Sequence, residues 1–152
     1  MLYLKQNSAN IIYSNLLDRL DTELTTPATW SFLVEITNDF TNDTFVCIQI
    51  LGVSFNPFIP FRFSLMGYYI IEVHDTGASD PLNQQIVMPD LGYFSYKIYY
   101  QDSITNIDPK DKTVNLRVVE EGKGFLSDPE NESEVQVTEY NEPISNYIYV
   151  PN

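Results

Sequence analysis

The chain of 152 residues has one cysteine, Cys47, and one histidine, His74. A lone cysteine excludes an internal disulfide framework, and together with a lone histidine it excludes the usual Cys/His zinc sites. Basic residues are also scarce: 8 Lys and Arg against 21 Asp and Glu give a net charge of -13. That field repels nucleic-acid phosphates and anionic membrane surfaces. No apolar run approaches the roughly 18 residues of a bilayer-spanning helix, and Met1-Leu2-Tyr3-Leu4-Lys5-Gln6-Asn7 lacks a signal-peptide apolar stretch. A soluble, unprocessed protein is expected, with neither nucleic acid nor membrane as its partner. No glycine-rich phosphate loop, GxSxG elbow or CxxC pair occurs, so neither an enzyme nor a bound cofactor or metal is expected.

Apolar and aromatic residues are plentiful, at 43% and 14% of the chain. They suffice for one core and hence one domain. They fall in short stretches of Ile, Val, Phe, Tyr and Thr between clusters of Asn, Asp, Pro and Gly, which is the pattern of strands and turns. Asn10 to Leu20 reads as a first strand, although Ile12, Leu16, Leu17 and Leu20 also fit a helical stripe. In Thr29 to Ile36, the alternation places Trp30, Phe32, Val34 and Ile36 inward and Ser31, Leu33 and Glu35 outward, a half-buried strand. A turn at Asn38–Asp43 joins it to a second strand over Thr44–Leu51 as a hairpin with a loop longer than two residues. Phe55 to Phe63 carries Pro57 and Pro60 among aromatics and reads as an edge segment. Phe61–Met66 and Tyr68–Val73 read as strands broken near Gly67. A loop over Thr76–Gln85 precedes a short strand at Ile86–Met88.

Asp90-Leu91-Gly92-Tyr93-Phe94-Ser95-Tyr96 has the order of the corner that opens the penultimate strand of an immunoglobulin-like sandwich, with Phe94 at the corner and Tyr96 at the core position. Phe94, Tyr96, Ile98 and Tyr100 face one side, and Tyr93, Ser95, Lys97 and Tyr99 the other. The last strand is expected over Thr113–Val119, and the composition changes after Glu120-Glu121-Gly122-Lys123-Gly124. An all-β, immunoglobulin-like antiparallel sandwich follows as the fold class, with a domain over residues 1–125 and an acidic C-terminal arm over 126–152. Within the arm, Ser127 to Pro143 has six acidic residues and no basic one.

Few residues invite chemistry. His74 precedes Asp75, but neighbours on a strand point to opposite faces, so a structural or solvated histidine is expected. Cys47 between Val46 and Ile48 reads as a small buried hydrophobe. The Asn/Asp clusters at Asn38–Asp43 and Asp102–Asp111 lack the spacing of a calcium loop and read as turn chemistry. Asn42-Asp43-Thr44 and Asn131-Glu132-Ser133 match the glycosylation triplet, which has no meaning without a secretory route. The 11 tyrosines and 9 phenylalanines suit a core on one face and subunit contact on the other. The alternative is a carbohydrate-binding or host-surface adhesion module, with Tyr68, Tyr69, Tyr93 and Tyr99 as an exposed platform on one sheet.

Several stretches resemble a known group. Leu2-Tyr3-Leu4-Lys5-Gln6, the run from Thr26 through Trp30 and Phe32 to Thr37-Asn38-Asp39, Leu91-Gly92-Tyr93-Phe94-Ser95-Tyr96-Lys97-Ile98-Tyr99, and Val118-Val119-Glu120-Glu121-Gly122-Lys123 are similar to motifs of small virion structural proteins of tailed phages of Bacteroidetes hosts, the crAss-like phages included. The resemblance spans roughly residues 1 to 125, and over Val118–Lys123 it implies a closing strand with an acidic-glycine turn. It does not extend to the Phe55–Phe63 segment or the acidic arm. It implies a non-enzymatic virion protein that binds other virion proteins as a capsid auxiliary, head-fibre or neck component, as a homo-oligomer. On that reading residues 9–125 form the rigid body, and segments 1–8 and 126–152 dock onto partners, with Tyr147, Ile148, Tyr149 and Val150 anchoring the tail.

Overall fold

A computed structural model describes residues 1–14, 16, 30–49, 52–53, 67–114 and 116–129. Nine strands are present among them: β1 (Leu2–Lys5), β2 (Ser8–Ser14), β3 (Ser31–Asn38), β4 (Thr44–Gln49), β5 (Gly52–Val53), β6 (Gly67–His74), β7 (Gln85–Val87), β8 (Gly92–Gln101) and β9 (Arg117–Ser127). Five form a mixed sheet in the order β1-β9-β8-β3-β4, with β1 parallel to β9 and the other pairs antiparallel. The second sheet runs β2-β6-β5, and β7 lies parallel to β6. The chain is mostly β, as its alternating pattern predicts.

Alternate strand residues point to opposite faces, so each strand sends every second side chain inward. Leu4, Phe32, Val34, Ile36, Cys47, Phe94, Ile98 and Leu126 of the first sheet meet Tyr69, Ile71 and Val73 of the second, with Leu16, Ile86 and Met88. Full burial of a side chain such as Phe32 or Phe94 contributes about 1.5–3 kcal/mol, so these contacts hold both sheets on one core. The β3–β4 hairpin forms where expected. Its turn is closed by Asn38 N–H on the Asp43 carbonyl at 2.9 Å, and Asn38 Oδ1 accepts the N–H groups of Phe40 and Thr41 at 2.8 and 3.1 Å. The loop before β7 contains a short 3₁₀ turn at Pro81–Asn83. The expected segments at 17–20, 55–63 and 61–66 lie outside the described residues.

Four expectations are corrected. The last strand does not end at Val119: Lys112–Val114 is a 3₁₀ turn, and β9 runs on through Glu120–Gly124. The glycines there serve packing, since Tyr96 lies opposite Gly122 and Phe94 opposite Gly124, and both rings occupy the space above the bare backbone. At the corner, Phe94 and Ile98 take the core positions. Tyr96 is half-buried, and its hydroxyl donates to Glu120 Oε1 at 2.9 Å. β3 is not half-buried along its length, because Ser31 and Leu33 on its outer face are buried too. The loop after β8 closes over that end: Ser31 Oγ donates to the Ser103 carbonyl at 2.6 Å, and Gln101 Nε2 donates to Ser31 Oγ and to the Asn106 carbonyl. Finally, residues 1–8 are not a free docking segment. Leu2–Lys5 pairs along β9 and Leu4 is fully buried.

Candidate interaction surface

The residues singled out for chemistry are bonded or buried as follows. His74 Nε2 lies 3.0 Å from Glu72 Oε1, two positions back on the same face of β6, and Glu72 Oε2 accepts Gln85 Nε2–H at 3.0 Å. Asp75 turns its backbone N–H to Asn7 Oδ1 at 3.2 Å, and its carboxylate accepts the Thr76 hydroxyl at 3.3 Å, so the His74 ring is paired with Glu72 and not with its sequence neighbour. Cys47 is fully buried, and burial pushes its thiol up to about 12, which removes the thiolate that reactivity requires. In the acidic turns, Asp108 Oδ1 accepts the Lys110 N–H at 2.9 Å, and Asp111 Oδ1 accepts both the N–H and the hydroxyl of Thr113 at 2.9 and 2.7 Å. Those bonds hold the Asp111 carboxyl below its usual range. Among the described residues no group of three His, Cys, Asp or Glu side chains is placed to hold a metal ion.

The four tyrosines of the platform do not come together. Tyr69 is in the core, Tyr68 is on the second sheet, and Tyr93 and Tyr99 are on the first. Tyr99 donates its hydroxyl to Glu35 Oε2 at 2.6 Å, and burial followed by that bond raises its phenol above the ordinary range. The tail residues Tyr147, Ile148, Tyr149 and Val150 lie outside the described residues.

What the strands do assemble is two outer faces with apolar side chains in register. On the second sheet, Ile11 and Tyr13 of β2 are 57% and 70% exposed and lie opposite Ile70 and Tyr68 of β6. The Tyr13 and Tyr68 rings are 6.4 Å apart. β2 is an outer strand of this sheet among the described residues, which places the patch at its margin. On the first sheet, Tyr3, Phe125 and Tyr93 line up across β1, β9 and β8, with the Tyr93 and Phe125 rings 5.0 Å apart. Beside them is a polar cluster: Lys123 Nζ bonds Asp39 Oδ2 and Ser95 Oγ, each at 2.8 Å, while Ser95 Oγ donates to Asp39 Oδ1 at 2.6 Å. These bonds lower the Asp39 pKa, that from Lys123 most.

Further along the same face, Glu35, Lys97 and Glu121 alternate in sign across β3, β8 and β9. An aromatic and aliphatic patch bordered by satisfied polar groups is the composition of a protein-binding surface. Sequence reasoning missed Ile11 and Tyr13, although their alternation with Asn10, Ile12 and Ser14 marks the outward face of a strand. Comparison with protein-family models, curated proteins and solved structures yields no match.

Proposed function

We propose that this chain is a non-enzymatic structural subunit of a phage virion, which binds other virion proteins as a capsid auxiliary, head-fibre or neck component. The observation that carries the reading is the pair of outer faces, each with large apolar side chains in cross-strand register: Ile11, Tyr13, Tyr68 and Ile70 on one sheet, Tyr3, Phe125 and Tyr93 on the other. Such faces suit contact with flat partner surfaces. The resemblance of the strand motifs to virion proteins of tailed phages supports the setting. The fold reading belongs with it: the order β9-β8-β3-β4 against β2-β6-β5 corresponds to the G-F-C-C′ and B-E-D sheets of a variable-type immunoglobulin-like sandwich.

Chemical crosslinking of intact particles tests the reading. Lys97 and Lys123 on the outer face of the first sheet are expected to crosslink to at least one other virion polypeptide. Particles that contain the chain with no such crosslink would argue against it. The alternative, a carbohydrate-binding or adhesion module, needs Tyr68, Tyr69, Tyr93 and Tyr99 on one exposed surface, but Tyr69 is in the core, and Tyr93 and Phe125 meet at 67° and so offer no flat stacking surface. Glycan-array binding lost on Tyr93→Ala would favour that alternative.

A further inference from the structure

Among the described residues β2 has one neighbour, β6, and its other edge is open. Which backbone groups face that edge follows from β6. The Glu72 N–H donates to the Gln84 carbonyl at 3.0 Å, and the His74 carbonyl accepts the Met88 N–H at 2.8 Å, so these residues turn their backbone groups toward β7. Successive strand residues alternate in this respect, so Tyr69, Ile71 and Val73 turn theirs toward β2, and the Ile71 carbonyl also accepts Asn10 Nδ2–H at 3.1 Å. In register they lie opposite Ile12, Asn10 and Ser8. The N–H and C=O groups of Ala9, Ile11 and Tyr13 are left pointing out of the sheet edge, and all three residues are exposed.

A row of unpaired backbone donors and acceptors is a template for another strand, and edges are commonly guarded by charge, proline or a bulge. β2 has none of these. No residue from Gln6 to Leu17 is charged or proline, and the β2–β6 register is unbroken from Ser8 to Ser14. In a chain of net charge -13 two copies repel over most approaches. Across β2 they meet without facing carboxylates, since Glu72, opposite Ala9 on the neighbouring strand, is bonded to His74 and Gln85.

The edge is also complementary to itself. An antiparallel copy centred on Ile11 sets Ile11 opposite its own counterpart and Ala9 opposite the other copy's Tyr13. Every N–H and C=O of the three residues then meets a partner, because such directly opposite residues exchange both bonds. On the outer face the Ala9 methyl leaves room for the Tyr13 ring at both ends of the seam, and the opposed Ile11 and Ile70 of one copy continue into Ile11 and Ile70 of the other.

We propose that β2 is a self-association edge: two copies join antiparallel across a two-fold axis at Ile11, giving one sheet in the order β5-β6-β2-β2′-β6′-β5′. The contact uses the same surface on both copies, so it closes at a dimer. The inference names one partner within the structural-subunit reading and fails separately from it, since crosslinks from Lys97 and Lys123 do not depend on β2.

Light scattering of the natural chain is expected to give twice the 17.5 kDa chain mass. Ile11→Pro removes an N–H that points out of the edge and leaves the β6 ladder intact, so it should give a monomer with the thermal midpoint kept. Disulfide trapping reads the register, with Cys47 buried and silent, and decides the matter should Ile11→Pro lower the midpoint. Across the two-fold the Ile11 Cα atoms lie about 5.5 Å apart, within disulfide range, so Ile11→Cys is expected to oxidise to a covalent dimer. The Tyr13 Cα atoms are four residue steps apart, about 13 Å, so Tyr13→Cys is not. A chain ending at Pro143 should dimerise as the natural chain does. A monomeric natural chain, a folded Ile11→Pro that still dimerises, equal trapping at 11 and 13 or none at either would overturn the proposal. So would a dimer lost with residues 144–152, which would assign the edge to the uncharged tail instead.

Discussion

Phe94 on β8 lies directly opposite Gly124 on β9, and its ring fills the space that a side chain at that glycine would need. A Cβ at Gly124 would overlap the ring and approach the Leu2 carbonyl oxygen to 2.6 Å. Because that oxygen belongs to the backbone of β1, it cannot move aside without disturbing the β1–β9 pairing. Gly124→Ala is therefore expected to cost about 1–3 kcal/mol, the range for overpacking a filled core, read as a lower urea midpoint at unchanged slope. Gly122→Ala should cost less, since its Cβ meets the outer atoms of Tyr96 at 3.0 Å. Equal losses at the two glycines would contradict this packing account.

The same pair shows how far the sequence was legible. Strand existence, the β3–β4 turn and the inward set of Phe32, Val34, Ile36, Phe94 and Ile98 follow from alternation, because one buried face imposes a period of two. Glu120-Glu121-Gly122-Lys123-Gly124 was misread as a turn because turn glycines and glycines cleared for a cross-strand ring look alike in one dimension. The burial of Ser31 was not legible for a related reason: its outward face is covered by a loop from beyond β8, and local pattern carries no information about such tertiary cover. The apolar outer face was legible in Ile11 and Tyr13.

Gln101 holds that loop against the sheet. It is fully buried, and its Oε1 accepts Asn106 Nδ2–H at 2.8 Å while its Nε2 donates to the Asn106 carbonyl at 2.9 Å. Gln101→Leu would leave the Asn106 carbonyl and amide short of partners, at a cost of about 1–3 kcal/mol. Amide hydrogen exchange should then accelerate at Asn106 and Thr105 and stay unchanged in β6. Uniform acceleration across both sheets would show that the loop is not locked separately.

Cys47 should be silent in the native protein. With the thiol buried and pushed up to about 12, labelling by a thiol reagent at pH 8 is expected only on the timescale of unfolding, and at once in denaturant. Rapid stoichiometric labelling of folded protein would mean that the β3–β4 region opens locally.

The tyrosines predict an alkaline limit. Burial raises the Tyr69 phenol above its ordinary value of 10.0, and burial with the Glu35 bond does the same for Tyr99. Below pH 10 both phenols are neutral in folded and unfolded chains, so their contribution is fully present. Above it the unfolded chain ionises first and stability falls. Tyr69→Phe should flatten that fall, with stability followed by urea midpoint from pH 8 to 11; an unchanged slope would contradict it. At the acid end the sign reverses. Asp39 lies below its ordinary 3.8 through its bonds to Lys123 and Ser95, so its contribution is present above 3.8 and lost as pH drops through the lowered value. Lys123→Met should weaken that acid dependence.

The outer face of the second sheet separates binding from folding. Ile11 and Tyr13 are mostly exposed, and surface substitutions away from the core change stability by about 0.5 kcal/mol or less. Ile11→Glu with Tyr13→Glu should keep the thermal midpoint and reduce incorporation into particles. Unaltered incorporation would remove this patch from the assembly surface.

The central claim is that the chain is a structural component of a virion, and quantitative mass spectrometry of gradient-purified particles measures it most directly. The account predicts a fixed number of copies per particle, the same from preparation to preparation, with the chain depleted from the soluble fraction of the lysate. Absence from purified particles, with the protein recovered in the soluble fraction, would contradict it.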